Sequence, residues 1–283
     1  MKSCYLAAVA LVSVSSCAFA QSDVGAGHAS ALTIGETFII ESKALGEPRR
    51  INVYVAPVYG EPPSARRPVL YMPDGGLGED FLHVAGLLQV MIGNGSMRPF
   101  LLVGIENTQR RRDLTGPTES ARDRKIAPHV GGSAAFRGFV RDELMPVVNG
   151  RYRTTAETAI MGESLAGLFV VETFFVEPGL FDTYIAFDPS LWWNDNELVN
   201  RAGSRLRASD NRRRALYFAT SEEKDLLILT KRLATILGKT TPSGLTWHHE
   251  HMPNESHSTI YHPAALNALR RLFKPRPDSS ATP

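Results

Sequence analysis

The chain has 283 residues, 43% hydrophobic and 21% charged, with a formal net charge of +2. That length admits one large α/β domain or two small ones, and the balanced composition excludes a disordered, collagen-like or multi-span membrane chain. Arginines cluster at 110–112 and 212–214, but without interleaved aromatics or a nucleic-acid motif, so nucleic acid is not an expected partner.

The first residues read as an export signal. Lys2 supplies a positive start, residues 5–14 form an apolar stretch too short to cross a bilayer, and Ala18-Phe19-Ala20 offers a small-residue cleavage site. Residues 1–20 are thus expected to be removed, leaving Gln21 first and the protein periplasmic or secreted. A rival pattern overlaps: Val14-Ser15-Ser16-Cys17 resembles a bacterial lipoprotein box, with Cys17 lipidated. Both cysteines, Cys4 and Cys17, lie in this segment. The expected mature chain therefore has no thiol for a disulfide, a thiolate metal site or a cysteine nucleophile. No later apolar run approaches transmembrane length.

Residues 21–32 are polar and small, a flexible lead-in. Residues 37–40 and 51–55 are β-rich and separated by a polar connection around Gly46 and Pro48, which predicts an antiparallel pair. Residues 57–68 form a Pro- and Arg-rich loop. Residues 69–72 read as a buried strand ending in Pro73-Asp74-Gly75-Gly76. Phe81, Val84, Ala85 and Leu88 follow with helical spacing, and residues 100–105 form a second buried strand. Residues 106–134 show no regular periodicity, and a segment of that size inside a domain is expected to be functional or disordered. Residues 136–148 resume helical spacing, with Pro146 near the end.

Next comes Gly162-Glu163-Ser164-Leu165-Ala166-Gly167, between an apolar strand at 158–161 and an apolar helix at 165–176. A serine on a sharp strand-to-helix turn presents its hydroxyl above the sheet, facing the positive end of the helix. Gly162, Ala166 and Gly167 are small enough for strand and helix to approach, although Ala166 stands where G-x-S-x-G has its second glycine. Further strands are expected at 183–187, ending in Asp188-Pro189-Ser190 before Leu191-Trp192-Trp193, and at 215–219, ending in Thr220-Ser221-Glu222-Glu223. Leu226, Leu229, Leu233 and Leu237 form a helical stripe. Residues 245–251 make the last strand, and Pro263 opens a final helix. The expected fold is α/β: a mostly parallel central sheet with an antiparallel N-terminal strand pair and helices on both faces. It forms one domain over 33–274, followed by a disordered tail at 275–283. In such sheets ligands sit beyond the carboxyl ends of the strands, where Ser164, Gly75-Gly76, Asp188 and Glu222-Glu223 all fall.

A serine hydroxyl needs a base, and the base needs a partner that fixes its tautomer. His257, in the polar loop Asn254-Glu255-Ser256-His257-Ser258 after the last strand, is the expected base. His248, His249 and His251 alternate faces within a strand, so a metal site is not expected. Glu223 is the expected acid, with Glu222, Asp225 and Asp188 as alternatives; each also suits the plain role of a carboxylate at a helix start. Leu165 N–H and Gly76 N–H, with Gly75 in reserve, are the expected oxyanion donors.

Together these segments, with Leu70-Tyr71-Met72-Pro73-Asp74-Gly75, Gly104-Ile105, Arg112-Asp113-Leu114-Thr115 and Asp188-Pro189-Ser190-Leu191-Trp192-Trp193, resemble the putative-esterase family of α/β-hydrolases. That family includes enterochelin-type siderophore esterases, esterase D-like enzymes and feruloyl esterases. The resemblance spans roughly 33–274 and implies an α/β-hydrolase fold, carboxylic-ester hydrolysis through an acyl-enzyme and no cofactor. It implies Ser164 as nucleophile and His257 as general base, while leaving the acid open, since a dyad serves some siderophore esterases. Trp192 and Trp193 are candidates for an aromatic substrate wall or for plain packing. Arg112, with Arg110 and Arg111, is a candidate for an anionic or catecholate substrate, or for a solvated loop. Acyl transfer on the same fold and a non-catalytic ligand-binding protein are the competing readings.

Overall fold

A computed structural model describes residues 30–208 and 212–275. The chain divides into two units, Met1–Ile34 and Gly35–Pro283. Of the first, residues 30–34 are exposed and without regular structure; the expected signal, the Cys17 box and most of the lead-in lie outside the described residues, as does nearly all of the expected tail.

The second unit begins with an antiparallel hairpin, β1 (Glu36–Ser42) and β2 (Glu47–Val55), in register from Glu36 opposite Val53 to Ser42 opposite Glu47. Strands β3 (Arg67–Pro73), β4 (Leu101–Ile105), β5 (Thr154–Glu163), β6 (Thr183–Phe187), β7 (Arg214–Thr220) and β8 (Leu245–His251) follow. Among the described residues they form one sheet in the order β1-β2-β4-β3-β5-β6-β7-β8. β1, β2 and β4 pair antiparallel, and every pairing from β4 through β8 is parallel.

Because strand side chains alternate, the central strands feed two cores. Val69 and Tyr71 of β3, Tyr184 and Ala186 of β6, and Leu216 and Phe218 of β7 enter one core. Leu70 and Met72, Ile185 and Phe187, and Tyr217 and Ala219 enter the other. The first core is covered by α4 (Ser133–Phe139), α6 (Leu165–Val176), α7 (Trp193–Arg207) and α8 (Lys224–Thr240). The second is covered by α1 (Phe81–Gly93) and α9 (Tyr261–Leu272). Nine residues of α6 are buried, Leu165 through Val171 with Thr173 and Phe174, as expected of a helix that is apolar all round.

Three segments differ from the sequence reading. Residues 106–134 carry two short helices, α2 (Arg110–Asp113) and α3 (Ala121–Ile126). What holds α2 is charge: Arg49 on β2, 1% exposed, meets both Glu47 and Asp113 at 2.5 Å, and Arg112 reaches Asp113 at 2.7 Å and Glu47 at 2.5 Å. The helix expected over 136–148 contains a π-turn at Val140–Leu144, in which Met145 N–H bonds Val140 O, before α5 (Met145–Arg151). Pro146, which has no N–H to donate, follows immediately and accounts for the widened turn. Helix α7 was not anticipated; its entry turns through three left-handed residues, Asn194, Asp195 and Asn196.

Candidate active site

Three neighbouring strands, β3, β5 and β6, each run at the carboxyl end into a non-glycine residue with left-handed φ: Asp74 (56°), Ser164 (60°) and Asp188 (39°). At Ser164 the chain leaves β5 and enters α6 in a single residue, with ψ −117°. Such backbone is strained for serine and persists only where its surroundings hold it. Ser164 N–H bonds Phe187 O at 3.0 Å, and Ser164 O accepts from Ser190 N–H and Leu168 N–H. The turn also needs its small neighbours: a Cβ on Gly162 would meet Ala166 Cβ at 2.7 Å, and one on Gly167 would lie 3.0 Å from Phe187 O.

Ser164 Oγ lies 3.1 Å from His257 Nε2. His257, carried by the loop between β8 and α9, turns its Nδ1 to Asp188 Oδ2 at 3.2 Å. Asp188 is fully buried, and its carboxylate is held by Ser221, whose N–H donates to Oδ1 at 2.8 Å and whose hydroxyl donates to Oδ2 at 2.6 Å. The Asp188 hydrogen bond is the largest influence on His257 and raises it above its ordinary value, against the lowering effect of burial. This geometry can move a proton from a serine hydroxyl to an imidazole whose far side is fixed by a carboxylate.

Beside Ser164 and His257 lies a cavity of about 500 Å³. Trp192, Leu226, Ile228 and Leu229 give it an apolar wall, and Arg122, Glu223 and Asp225 bring charge. The Arg122 guanidinium sits 5.5 Å from the Trp192 ring centre. A larger cavity, about 940 Å³, opens around Asp182, Ala215 and Thr246 near the amino ends of β6, β7 and β8, the edge of a parallel sheet opposite to where ligands bind.

A family profile described as putative esterase matches residues 42–257. The chain belongs to the putative esterase family. It is 29% identical over 185 residues to the ferri-bacillibactin esterase BesA of Bacillus subtilis, a match covering 59% of this chain and 63% of the relative. It is 36% identical over 97 residues to a siderophore triacetylfusarinine C esterase of Aspergillus fumigatus, covering 33% of this chain and 32% of that one. The match thus spans less than two thirds of the length of either relative. The solved structure of an IroE-like serine hydrolase from Shewanella oneidensis superposes with a TM-score of 0.77 at 26% identity, covering 84% of this chain and 80% of that one. With the sheet described above, that likeness makes the fold an α/β-hydrolase fold.

In this member of the putative esterase family the expected site residues separate into those that meet and those that do not. Ser164 and His257 are in contact, and Leu165 is the first residue of α6, where a helix N–H has no intrahelical acceptor. Glu223, the expected acid, does not reach His257 as a hydrogen-bond partner: it is exposed at the start of α8 and lines the cavity mouth, and Asp188 holds the imidazole instead. Gly76 N–H is not open to a ligand, because it donates to Glu79 Oε2 at 2.7 Å, and Gly75 N–H donates to Ile105 O at 2.9 Å. Gly75 is glycine for another reason: its Cβ would fall 2.3 Å from Gly104 Cα. Trp192 lines the cavity, whereas Trp193 is 5% exposed and donates its indole N–H to Gly116 O. Arg112 belongs to the Arg49–Glu47–Asp113 cluster, Arg110 grips Asp74 through two bonds of 2.7 and 2.8 Å, and Arg111 donates to Ile126 O. The arginine at the cavity is Arg122.

Sequence reasoning passed over Ser221, Glu163 and Arg122. Ser221 had a readable signal, a hydroxyl residue at a strand end next to the Asp188 strand. His249 stacks on Phe218 with ring centres 4.6 Å apart and pairs with Thr220 Oγ1. Among the described residues no three His, Cys, Asp or Glu side chains are gathered to hold a metal ion.

Proposed function

We propose that the chain hydrolyses carboxylic esters through an acyl-enzyme on Ser164. The observation that carries this reading is the 3.1 Å contact between Ser164 Oγ and His257 Nε2, with Asp188 on the opposite ring nitrogen. Ser164 Oγ bonds to the ester carbonyl carbon as its proton passes to Nε2. The imidazolium so formed is stabilised by Asp188, and Leu165 N–H is one donor to the oxyanion. Collapse of the tetrahedral intermediate breaks the carbon–oxygen bond, and His257 returns the proton to the departing alcohol. Water, deprotonated by the same nitrogen, then releases the acid and frees Ser164.

The proposed substrates are siderophore or aryl esters. Two relatives are described as siderophore esterases, and the cavity offers the Trp192 ring with a guanidinium beside it. Export is also proposed, on the pattern of residues 1–20.

Ser164→Ala is expected to abolish p-nitrophenyl acetate hydrolysis and fluorophosphonate labelling while circular dichroism shows the fold retained. Full activity in that variant would end the proposal. A panel of short- and long-chain p-nitrophenyl esters, feruloyl esters and a trilactone siderophore reads the substrate class.

A further inference from the structure

Glu163 is the last residue of β5 and immediately precedes the Ser164 turn. Its side chain is 16% exposed, and Oε1 lies 3.2 Å from His257 Nε2, the same nitrogen that faces Ser164 Oγ. Oε1 is shielded from solvent and has no hydrogen-bond partner among the described residues, so the contact is one of ion-pair distance without hydrogen-bond alignment.

With Nδ1–H turned to Asp188, a neutral imidazole presents only a lone pair at Nε2. An ionised carboxylate 3.2 Å from that lone pair is repelled by it. The arrangement therefore calls for one proton between the two groups, carried by the imidazole or by the carboxyl, and the pair titrates as a unit. The surroundings agree. Burial pushes Glu163 up to about 7, against the pull of His257 and Arg110, and Asp188 and Asp74 push the same way as burial. His257 is raised first by Asp188, then by the charges of Glu163 and Glu223. The charged and titratable groups facing Glu163 are His257 from the loop before α9, Tyr261 at the start of α9, Arg110 on α2, Asp74 beyond β3 and Asp188 beyond β6.

We propose that Glu163 is a positioning carboxylate for His257: at ion-pair distance it favours a proton on the nitrogen that must be bare to accept the Ser164 proton, and thereby sets the lower pH limit of the reaction. The inference rests on the ester-hydrolase reading. When that proton leaves to solvent, Nε2 accepts the Ser164 proton as Oγ bonds to the carbonyl carbon. The imidazolium so formed faces the Glu163 carboxylate until the proton passes to the leaving alcohol.

The test is the pH profile of kcat/KM on a soluble p-nitrophenyl ester for the native protein, Glu163→Gln and Glu163→Ala. Removing a carboxylate at this range lowers a neighbouring histidine by on the order of one pH unit, so the acid limb is expected to move to lower pH by about that much in both variants. A purely structural role would lower Tm, or the whole profile, without moving the limb. An unmoved acid limb in both folded variants overturns the proposal. A histidine NMR titration of the same proteins reads the coupling without turnover: His257 is expected to titrate lower in Glu163→Gln, and an unchanged titration counts against the inference. Absence of hydrolysis and of fluorophosphonate labelling in the native protein would instead overturn the ester-hydrolase reading, and with it the proposed role in the reaction.

Discussion

Asp188 is a fully buried carboxylate, and such a group persists as an anion only where hydrogen bonds replace its water. Ser221 supplies two and His257 a third. The same bonds that make its burial tolerable fix the imidazole so that Nε2 faces Ser164. Glu223 is exposed and makes no hydrogen bond to the imidazole among the described residues. Asp188→Asn is therefore expected to lower kcat by on the order of 10⁴-fold, as loss of the tautomer-fixing acid does in serine hydrolases; Glu223→Gln is expected to leave it within about threefold, as befits an exposed charge. Equal losses in the two variants would return the role to Glu223.

Glu163 also links the stability of the fold to pH. Its folded value, about 7, lies above its ordinary value, so the native state holds a proton that the unfolded chain has released. Its contribution to stability is present below the ordinary glutamate range and is lost as pH rises through about 7. Glu163→Gln is expected to gain in Tm over the native protein more at pH 8 than at pH 5, measured by calorimetry; a gain that does not grow with pH contradicts the assigned shift.

Among the elements, α2, in the segment between β4 and α4, is tied by ion pairs to a strand far away in the chain. Arg49 and Asp113 are each 1% exposed. Glu47 on the same strand is pushed down to about 2, chiefly by its hydrogen bond to Arg112. Removing one partner of a buried pair leaves the other charge uncompensated. Arg49→Ala is therefore expected to cost about 3 kcal/mol or more in urea unfolding; a loss below about 1 kcal/mol would mean that Arg112 alone suffices for Asp113. Because α2 also carries Arg110, which grips Asp74 beyond β3, this cluster braces the rim of the site as well as the loop.

Across the whole molecule, the sheet order explains why residues remote in sequence converge. β5, β6, β7 and β8 are consecutive in the sheet, and Ser164, Asp188, Ser221 and His257 follow their carboxyl ends in that order. Parallel pairing lines up those ends, with Glu163 opposite Phe187 and Phe187 opposite Ala219. If the chain is exported as proposed, mass spectrometry of protein from its native source is expected to give a chain beginning at Gln21, and a lipidated chain beginning at Cys17 would decide for the lipoprotein box.

Much of this was legible in the residues alone, where the determinant is local. Alternation and apolar runs marked the strands; β6, α6 and β8 have the bounds that the pattern suggests, because a buried parallel strand or an all-apolar helix has few other ways to satisfy its backbone. The small residues at 162, 166 and 167 announced a tight strand-to-helix turn, and a histidine in a polar loop beyond the last strand pointed to the same sheet edge. Helix α7 was readable in Leu198, Val199, Ala202 and Leu206, but its polar faces and left-handed entry obscured it. Only the tertiary structure decided which carboxylate meets the imidazole, whether the Gly76 N–H is open, and which arginine borders the cavity. Asp188, Glu223 and Glu163 are all acids at strand ends or helix starts, and local sequence gives each the same plain reading. What distinguishes them is a distance of a few ångströms between segments far apart in the chain, and that distance is set by strand order and twist rather than by the residues on either side.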